Sequence, residues 1–295
     1  MRRRVTALSA CVGAVAAFAC VANAQSSHVV GEWGGGTALD PPASPYGPGN
    51  LVITLSSAGS GTVDFQARVG ASCELPTISG SFQPSADGAF SLAGSTVARK
   101  ADGRRVSVIY SVAGTIDDVS ATGSLQARIK ITRPHRKTRR CETGPVEWTA
   151  HQRRVGIDIG APAAVQPSAR LYGTTKQYMS VGHHPILLRV SADGSRLARA
   201  LYSADFRCGS DRTQILDTPH DDLPIRADGT FSDVEHFTVK LNRRTRARFT
   251  DRFSGTIGSA GATGSFKLTG KIIDIPSGHT FERCKNGTVK WTALP

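Results

Sequence analysis

A chain of 295 residues with 36 Lys and Arg against 23 Asp and Glu carries a formal charge of +13. Its length exceeds one small domain of about 110 residues. Beyond residue 24 no stretch is apolar enough to cross a bilayer as a helix.

Residues 1–24 read as an export signal. Arg2, Arg3 and Arg4 precede an apolar run over 5–22, and Ala22-Asn23-Ala24 offers small residues before a cleavage point at Gln25. The run is too short and too rich in Ala for a membrane span. The residues before Cys20 suit lipid attachment poorly, and the rest of a twin-arginine motif is missing. Loss of the signal removes three arginines and no acid, leaving 33 basic against 23 acidic residues, or +10. The expected compartment is secreted or periplasmic. Residues 25–45, rich in Gly, Ser and Pro, are expected to form a flexible leader.

The rest of the chain contains itself twice. Residues 51–73 align with 186–208 without a gap, 87–124 with 228–265, and 141–150 with 284–293. The identities fall at turns, glycines, cysteines and one tryptophan per copy. Cys141-Glu-Thr-Gly-Pro-Val-Glu-Trp148-Thr-Ala matches Cys284-Lys-Asn-Gly-Thr-Val-Lys-Trp291-Thr-Ala. Val146 and Trp148 share one face of a strand, as do Val289 and Trp291, so each copy closes on a half-buried strand. The expected division is repeat 1 over 46–152, a linker over 153–170 and repeat 2 over 171–295. Tyr46-Gly47 and Tyr172-Gly173 are taken as the openings of the two copies.

An exported chain favours disulfides. With Cys11 and Cys20 lost in the signal, four cysteines allow three pairings. The duplication selects Cys73 with Cys141 and Cys208 with Cys284, which are 68 and 76 residues apart. Each bridge is worth roughly 4 to 4.5 kcal/mol in the chain-entropy picture.

Within each copy the pattern is β. Leu51, Ile53 and Leu55 alternate, as do Val106, Val108, Tyr110 and Val112. In the second copy Ala247, Phe249 and Phe253 keep this series, and Asp251 breaks it opposite Tyr110. Ala-Asp-Gly occurs at 86–88, 101–103, 192–194 and 227–229, the chemistry of tight hairpin turns. No segment carries a helical stripe. The fold class is all-β, two tandem sandwich-like or barrel-like domains.

Tyr172-Gly173-Thr174-Thr175, the strand ending at Cys208, Asp228-Gly-Thr-Phe231 and Cys284…Trp291-Thr-Ala together resemble a repeat of uncharacterised secreted bacterial β-domain proteins. Repeat 1 shares the pattern more loosely. The resemblance implies an exported, disulfide-bonded β domain. It brings no activity, cofactor or site residue.

Catalytic motifs are missing. There is no Gly-x-Ser-x-Gly elbow, no His-Glu-x-x-His and no nucleotide-binding loop. No cofactor and no metal centre is expected. His183, His184, His220, Asp221 and Asp222 fall in insertions of repeat 2, where a hydrolytic or metal-dependent site could be grafted. The plainer expectation is solvated loop residues, with His236, Asp233 and Glu235 also on the surface. Basic residues cluster at Arg99, Lys100, Arg104 and Arg105, at Arg136, Lys137, Arg139 and Arg140, and at Lys240, Arg243, Arg244, Arg246 and Arg248. Such faces attract polyanions: acidic glycans, lipopolysaccharide or other acidic polymers. Few aromatics interleave with the arginines, which argues against specific nucleic-acid binding. The sequence thus favours a non-enzymatic binding or scaffolding protein of the envelope or exterior. Its alternative is a secreted hydrolase or metal-dependent enzyme. The sequence gives no oligomeric state.

Overall fold

The computed structural model describes residues 30–37, 46–57, 59–69, 73–74, 77–99, 103–134, 136–154, 156–161, 165–178, 183–209 and 211–295. The export signal lies outside the described residues. All regular structure among them is β.

The strands of the first sheet are β1 (Gly31–Thr37), β2 (Tyr46–Leu55), β3 (Gly61–Val69), β4 (Cys73–Glu74), β5 (Ile78–Phe82), β6 (Ala89–Arg99), β7 (Arg105–Ile116), β8 (Ser120–Thr132), β9 (Arg139–Glu142) and β10 (Val146–Gln152). Those of the second are β11 (Arg170–Tyr178), β12 (His183–Val190), β13 (Arg196–Cys208), β14 (Asp211–Pro224), β15 (Thr230–Lys240), β16 (Thr245–Gly258), β17 (Gly261–Asp274), β18 (Thr280–Lys285) and β19 (Val289–Leu294). Each sheet is an antiparallel meander whose last strand returns to its first, β10 to β1 and β19 to β11. Of the two expected architectures the barrel-like one forms. Following the pairings round, each ring has one seam without a backbone ladder among the described residues, between β5 and β6 and between β14 and β15.

Alternation in sequence becomes inside and outside. Val106, Val108, Tyr110 and Val112 of β7 are buried, and they pair across to Leu125, Ala127, Ile129 and Ile131 of β8. Trp33, Phe65, Phe90 and Trp148 complete that core. In the second barrel Tyr202, Phe231, Phe253, Phe266 and Trp291 form one stacked aromatic core. Each such ring withdraws enough apolar surface to contribute about 2 to 3 kcal/mol.

The repeated glycines now have a reason. A methyl group placed on Gly123 or Gly264 would lie 2.5 Å from the indole ring of Trp148 or Trp291. The closing tryptophan lies flat on backbone that only glycine leaves bare. The Ala-Asp-Gly turns hold as well: Gly88, Gly103, Gly194 and Gly229 all have φ between 75° and 80°. In three of them the Asp carboxylate accepts the backbone N–H two residues on, at Ala89, Ser195 and Thr230. Hydrogen bonds from Ser191 and Ser195 hold the Asp193 carboxyl down to about 2.

Three expectations change. First, the leader is not loose throughout: residues 31–37 are β1, a central strand between β2 and β10. Trp33 supplies the apolar anchor that makes this segment a strand, and it is fully buried. Second, the counterpart of β11 is β1, not Tyr46-Gly47. Gly35 pairs with Leu51 and Ala150, as Gly173 pairs with Ile186 and Ala293. Third, the ungapped match over 51–73 slips inside β13. Leu51 faces Phe65, whereas Ile186 faces Tyr202: Val190 faces Leu197 where Leu55 faces Gly61, one residue along, and the irregularity at Arg189/Val190 adds a second.

Cys208 is bonded to Cys284, directly opposite it where β18 bridges β13 and β17. Cys141 is disulfide-bonded. Its expected partner, Cys73, has a side chain outside the described residues.

The two barrels meet along the outer faces of β1–β2 and β11–β12. Gly34 lies against the backbone of Gly173, where any side chain would collide. Glu32 accepts from the His183 backbone N–H and contacts its ring at 2.6 Å, Asn50 donates to Ser203, and the His151 ring stacks on Tyr172. The linker follows repeat 2: Ala260 N–H donates to Ile159 O, and the Thr292 hydroxyl donates to Arg154 O.

Candidate functional site

The histidines grouped by the sequence do not converge. His183 sits at the barrel interface with Glu32. His184 is buried, with Nε2 3.5 Å from Asp205. Asp221 and Asp222 lie on the surface, paired with Arg199 and Arg196 at 3.1 and 2.6 Å. His236 is exposed and contacts Thr250. Only His220 enters a polar cluster, and its companions are residues the sequence placed on the surface or left unexplained.

That cluster occupies the seam of the second barrel. The inward series of β15 is Phe231, Asp233, Glu235, so both acids face the interior side and are only half-exposed. This corrects their surface assignment. From β14, His220 reaches across the seam, with Nδ1 2.9 Å from Asp233 Oδ2. Its Nε2 is 3.2 Å from Asp251 Oδ2 on β16. Asp251 is fully buried, and its Oδ2 also accepts from the Tyr202 hydroxyl. The break at Asp251 in an otherwise apolar series is therefore a polar anchor built into the core. The imidazole lies nearly parallel to the rings of Tyr202 and Phe253, at centroid distances of 6.0 and 4.9 Å.

Burial works against an imidazolium here. The hydrogen bonds to Asp251 and Asp233, with the charges of Asp251 and Glu235, outweigh it and raise the His220 pKa above its ordinary 6.5. Burial also pushes the Glu235 carboxyl up, against the pull of His220.

A second candidate lies outside the same barrel. The outward residues of β17 run Thr263, Ser265, Lys267, Thr269, Lys271. Arg248 of β16 stands opposite Lys271, which stands opposite Arg283 of β18. Arg252 faces Lys267, Lys285 faces Thr269, and Lys290 faces Ser265. All these cations are exposed. At the Thr263 end the row opens into a pocket lined by Arg153, Arg154, Lys176 and Lys290. The Thr174 hydroxyl also lines it, buried and without a hydrogen-bond partner among the described residues. Like charges placed opposite each other across strands destabilise a sheet. Among the described residues none of Arg248, Arg252, Lys267, Lys271 and Arg283 forms a salt bridge.

The predicted basic residues distribute around this row. Arg246 and Arg248 belong to it on β16, and Lys240, Arg243 and Arg244 lie beside it at the β15–β16 turn. Arg99, Arg104 and Arg105 border the corresponding β6–β7 turn of repeat 1, where Lys100 is outside the described residues. Arg136, Lys137, Arg139 and Arg140 are exposed, and Arg140 stands opposite Lys130. On β8 and β9 of repeat 1, at the places of Thr269 and Lys285, Arg128 meets Glu142 at 3.2 Å.

No family model and no curated protein matches the chain. Among solved structures it is similar to a "putative outer membrane protein" of Bacteroides fragilis, at 12% identity and a TM-score of 0.25, covering 90% of this chain and 97% of that one. It is also similar to a "putative AttH" of Nitrosomonas europaea, at 10% identity and a TM-score of 0.24, covering 95% and 99%. Likeness at these scores carries no functional argument.

Proposed function

We propose that the protein is an exported, non-enzymatic binding protein of the bacterial envelope or exterior that holds acidic polymers along the outer face of β17. One observation carries this reading: the unpaired cation rows Arg248–Lys271–Arg283 and Arg252–Lys267, continuing past Lys290 into the Arg153–Arg154–Lys176 pocket. From Lys271 to Thr263 the row spans eight residues of one strand, roughly 27 Å. That length accommodates several repeat units of an acidic glycan, or the phosphates of a lipopolysaccharide core. The exposed cations repel one another, and a polyanion relieves that repulsion while releasing its own counterions.

The test is heparin affinity chromatography of the full chain against a variant with Arg252, Lys267, Lys271 and Arg283 replaced by Ser. The native protein should elute at clearly higher salt, and its affinity should fall steeply with ionic strength. Co-elution of the two proteins would remove the β17 face from consideration.

A further inference from the structure

The seam cluster of the second barrel brings three side chains of metal-ligating type together. His220, Asp233 and Glu235 each offer one ligand atom, and these atoms lie within 4.8 Å of one another. Metal–nitrogen and metal–oxygen bonds of about 2.0 to 2.2 Å separate neighbouring donors by about 3 to 4 Å, so a small inward movement of the half-exposed acids brings all three atoms onto one small cation. Asp233 and Glu235 are two residues apart on one face of β15, and His220 closes the set from across the seam.

The surroundings orient the ligands. Asp251 accepts the Nε2–H of His220, which leaves Nδ1, whose proton a metal ion would displace, directed at Asp233. The Tyr202 hydroxyl fixes Asp251 in turn. A carboxylate that holds the far nitrogen of a ligating histidine is the usual outer-shell partner of a metal site. Charge points the same way. Three carboxylates, one of them fully buried, surround a single imidazole, so the cluster is anionic even when His220 is protonated. The second oxygen of Asp251, Oδ1, is buried and has no hydrogen-bond partner among the described residues. A buried carboxylate left half-satisfied calls for more positive charge nearby.

Repeat 1 supplies the internal control. Two residues along from the matched pairs Leu51–Phe65 and Ile186–Tyr202, Val63 faces Gly80 and Ala200 faces His220. Gly80 therefore holds the place of His220. By the 87–124 alignment, Leu92 and Gly94 hold those of Asp233 and Glu235, and Tyr110 that of Asp251. None of the four can ligate through the same geometry, and the Leu92 side chain packs over Gly80 instead.

We infer that His220, Asp233 and Glu235 bind one divalent transition-metal cation of the zinc class, with Asp251 and Tyr202 as the outer shell. One nitrogen with two carboxylate oxygens suits Zn²⁺ or Co²⁺ better than Ca²⁺, which takes six to eight oxygens. Two of the three ligands are half-exposed, so the ion enters from solvent at the β14–β15 seam and an open coordination position faces outward.

Isothermal titration of the full-length, metal-stripped protein with Zn²⁺ tests this, together with the visible spectrum on adding Co²⁺. Native protein should bind one Zn²⁺ per chain, give cobalt d–d absorption, and show no comparable uptake of Ca²⁺. Asp233→Asn with Glu235→Gln, both half-exposed and isosteric, should abolish binding and the cobalt bands while the β circular dichroism is retained. Asp251→Asn should weaken Zn²⁺ binding about 10- to 100-fold. If native protein binds Zn²⁺ and Co²⁺ no better than the folded Asp233→Asn/Glu235→Gln variant, the proposal is overturned. The cluster is then a proton-bridged structural pair. The experiment is independent of the β17 face, because neither variant touches it.

Discussion

The two barrels close the same seam with opposite chemistry. In repeat 1, Phe82 stacks on Phe90 at 4.1 Å and Leu92 covers Gly80, so β5 meets β6 through apolar contact. In repeat 2, His220 bonds Asp233 across the gap and Asp251 behind it, so β14 meets β15 through charge. Part of the surrounding core is shared, since Phe231 keeps the place of Phe90 and Trp291 that of Trp148, while Phe253 replaces Val112 and Tyr202 replaces Phe65 beside the polar cluster. A ring that can be closed by hydrophobic packing does not need a buried histidine between carboxylates. A buried polar constellation that only one copy of a duplicated scaffold carries reads as a function gained or kept by that copy. The buried polar group is costly where it sits, and that cost has to be offset by something the apolar seam does not supply.

The largest test of the comparison concerns what fastens repeat 2 independently of its seam. The Cys208–Cys284 bridge closes 76 residues. Replacing both cysteines with Ser should lower the unfolding free energy by about 4.5 kcal/mol in the chain-entropy model. Urea denaturation under non-reducing conditions measures it. If the loss is no larger than that from a surface substitution, the seam and aromatic core alone hold the second barrel.

The next test acts on the seams themselves. Asp251→Ala removes the acceptor of the buried His220 Nε2–H and of the Tyr202 hydroxyl, and should cost about 3 kcal/mol. Its counterpart in repeat 1, Tyr110→Phe, removes a hydroxyl whose bond to Ser79 O is long at 3.4 Å, and should cost about 0.5 kcal/mol or less. Equal losses in the two variants would mean that the seams carry equivalent interactions.

Much of the scaffold was legible because it depends on short-range patterns. Alternation gives the strands, Ala-Asp-Gly gives the turns, and the doubled Cys…Trp-Thr-Ala block gives the duplication. The cluster was not legible, for a geometric reason. Its members come from β13, β14, β15 and β16, and only the barrel's curvature brings Tyr202, His220, Asp233 and Asp251 together. One signal was present. An aspartate inside the alternating series Ala247-Phe249-Asp251-Phe253, opposite Tyr110 of the other copy, marks an inward polar residue that must find a partner. The leader was misread because Gly34-Gly35-Gly36 looks like punctuation. In the fold those glycines let β1 lie in the barrel while the second barrel packs on its outer face. The basic row was legible only in part. Arg246 and Arg248 stand out in sequence, but Lys271 and Arg283 join them only through the cross-strand register.

The smallest effect expected separates the copies at their closing strands. Trp148-Thr-Ala is followed by His151, and Trp291-Thr-Ala by Leu294. His151 is 9% exposed and stacks on Tyr172 of the other barrel at 5.7 Å. Burial depresses its pKa below 6.5, against the opposing pull of Asp117 and the Val119 backbone. A base whose folded pKa is lowered binds fewer protons folded than unfolded between the two values, so stability rises with pH through that window. Above pH 6.5 both states are neutral and nothing is lost. Below it the unfolded chain gains a proton that the interface resists, and the stacked contact weakens. Native protein should therefore lose more of its melting temperature between pH 7.5 and 5.5 than the His151→Leu variant, which carries the side chain repeat 2 uses. Asp117, the carboxylate coupled to His151, is held below the usual carboxylate range, against desolvation, by its hydrogen bonds to Ser120 and Val119 and stays ionised across this window, so the difference between the two pH profiles isolates this one imidazole. Parallel profiles would show that the seam between the barrels is indifferent to its charge.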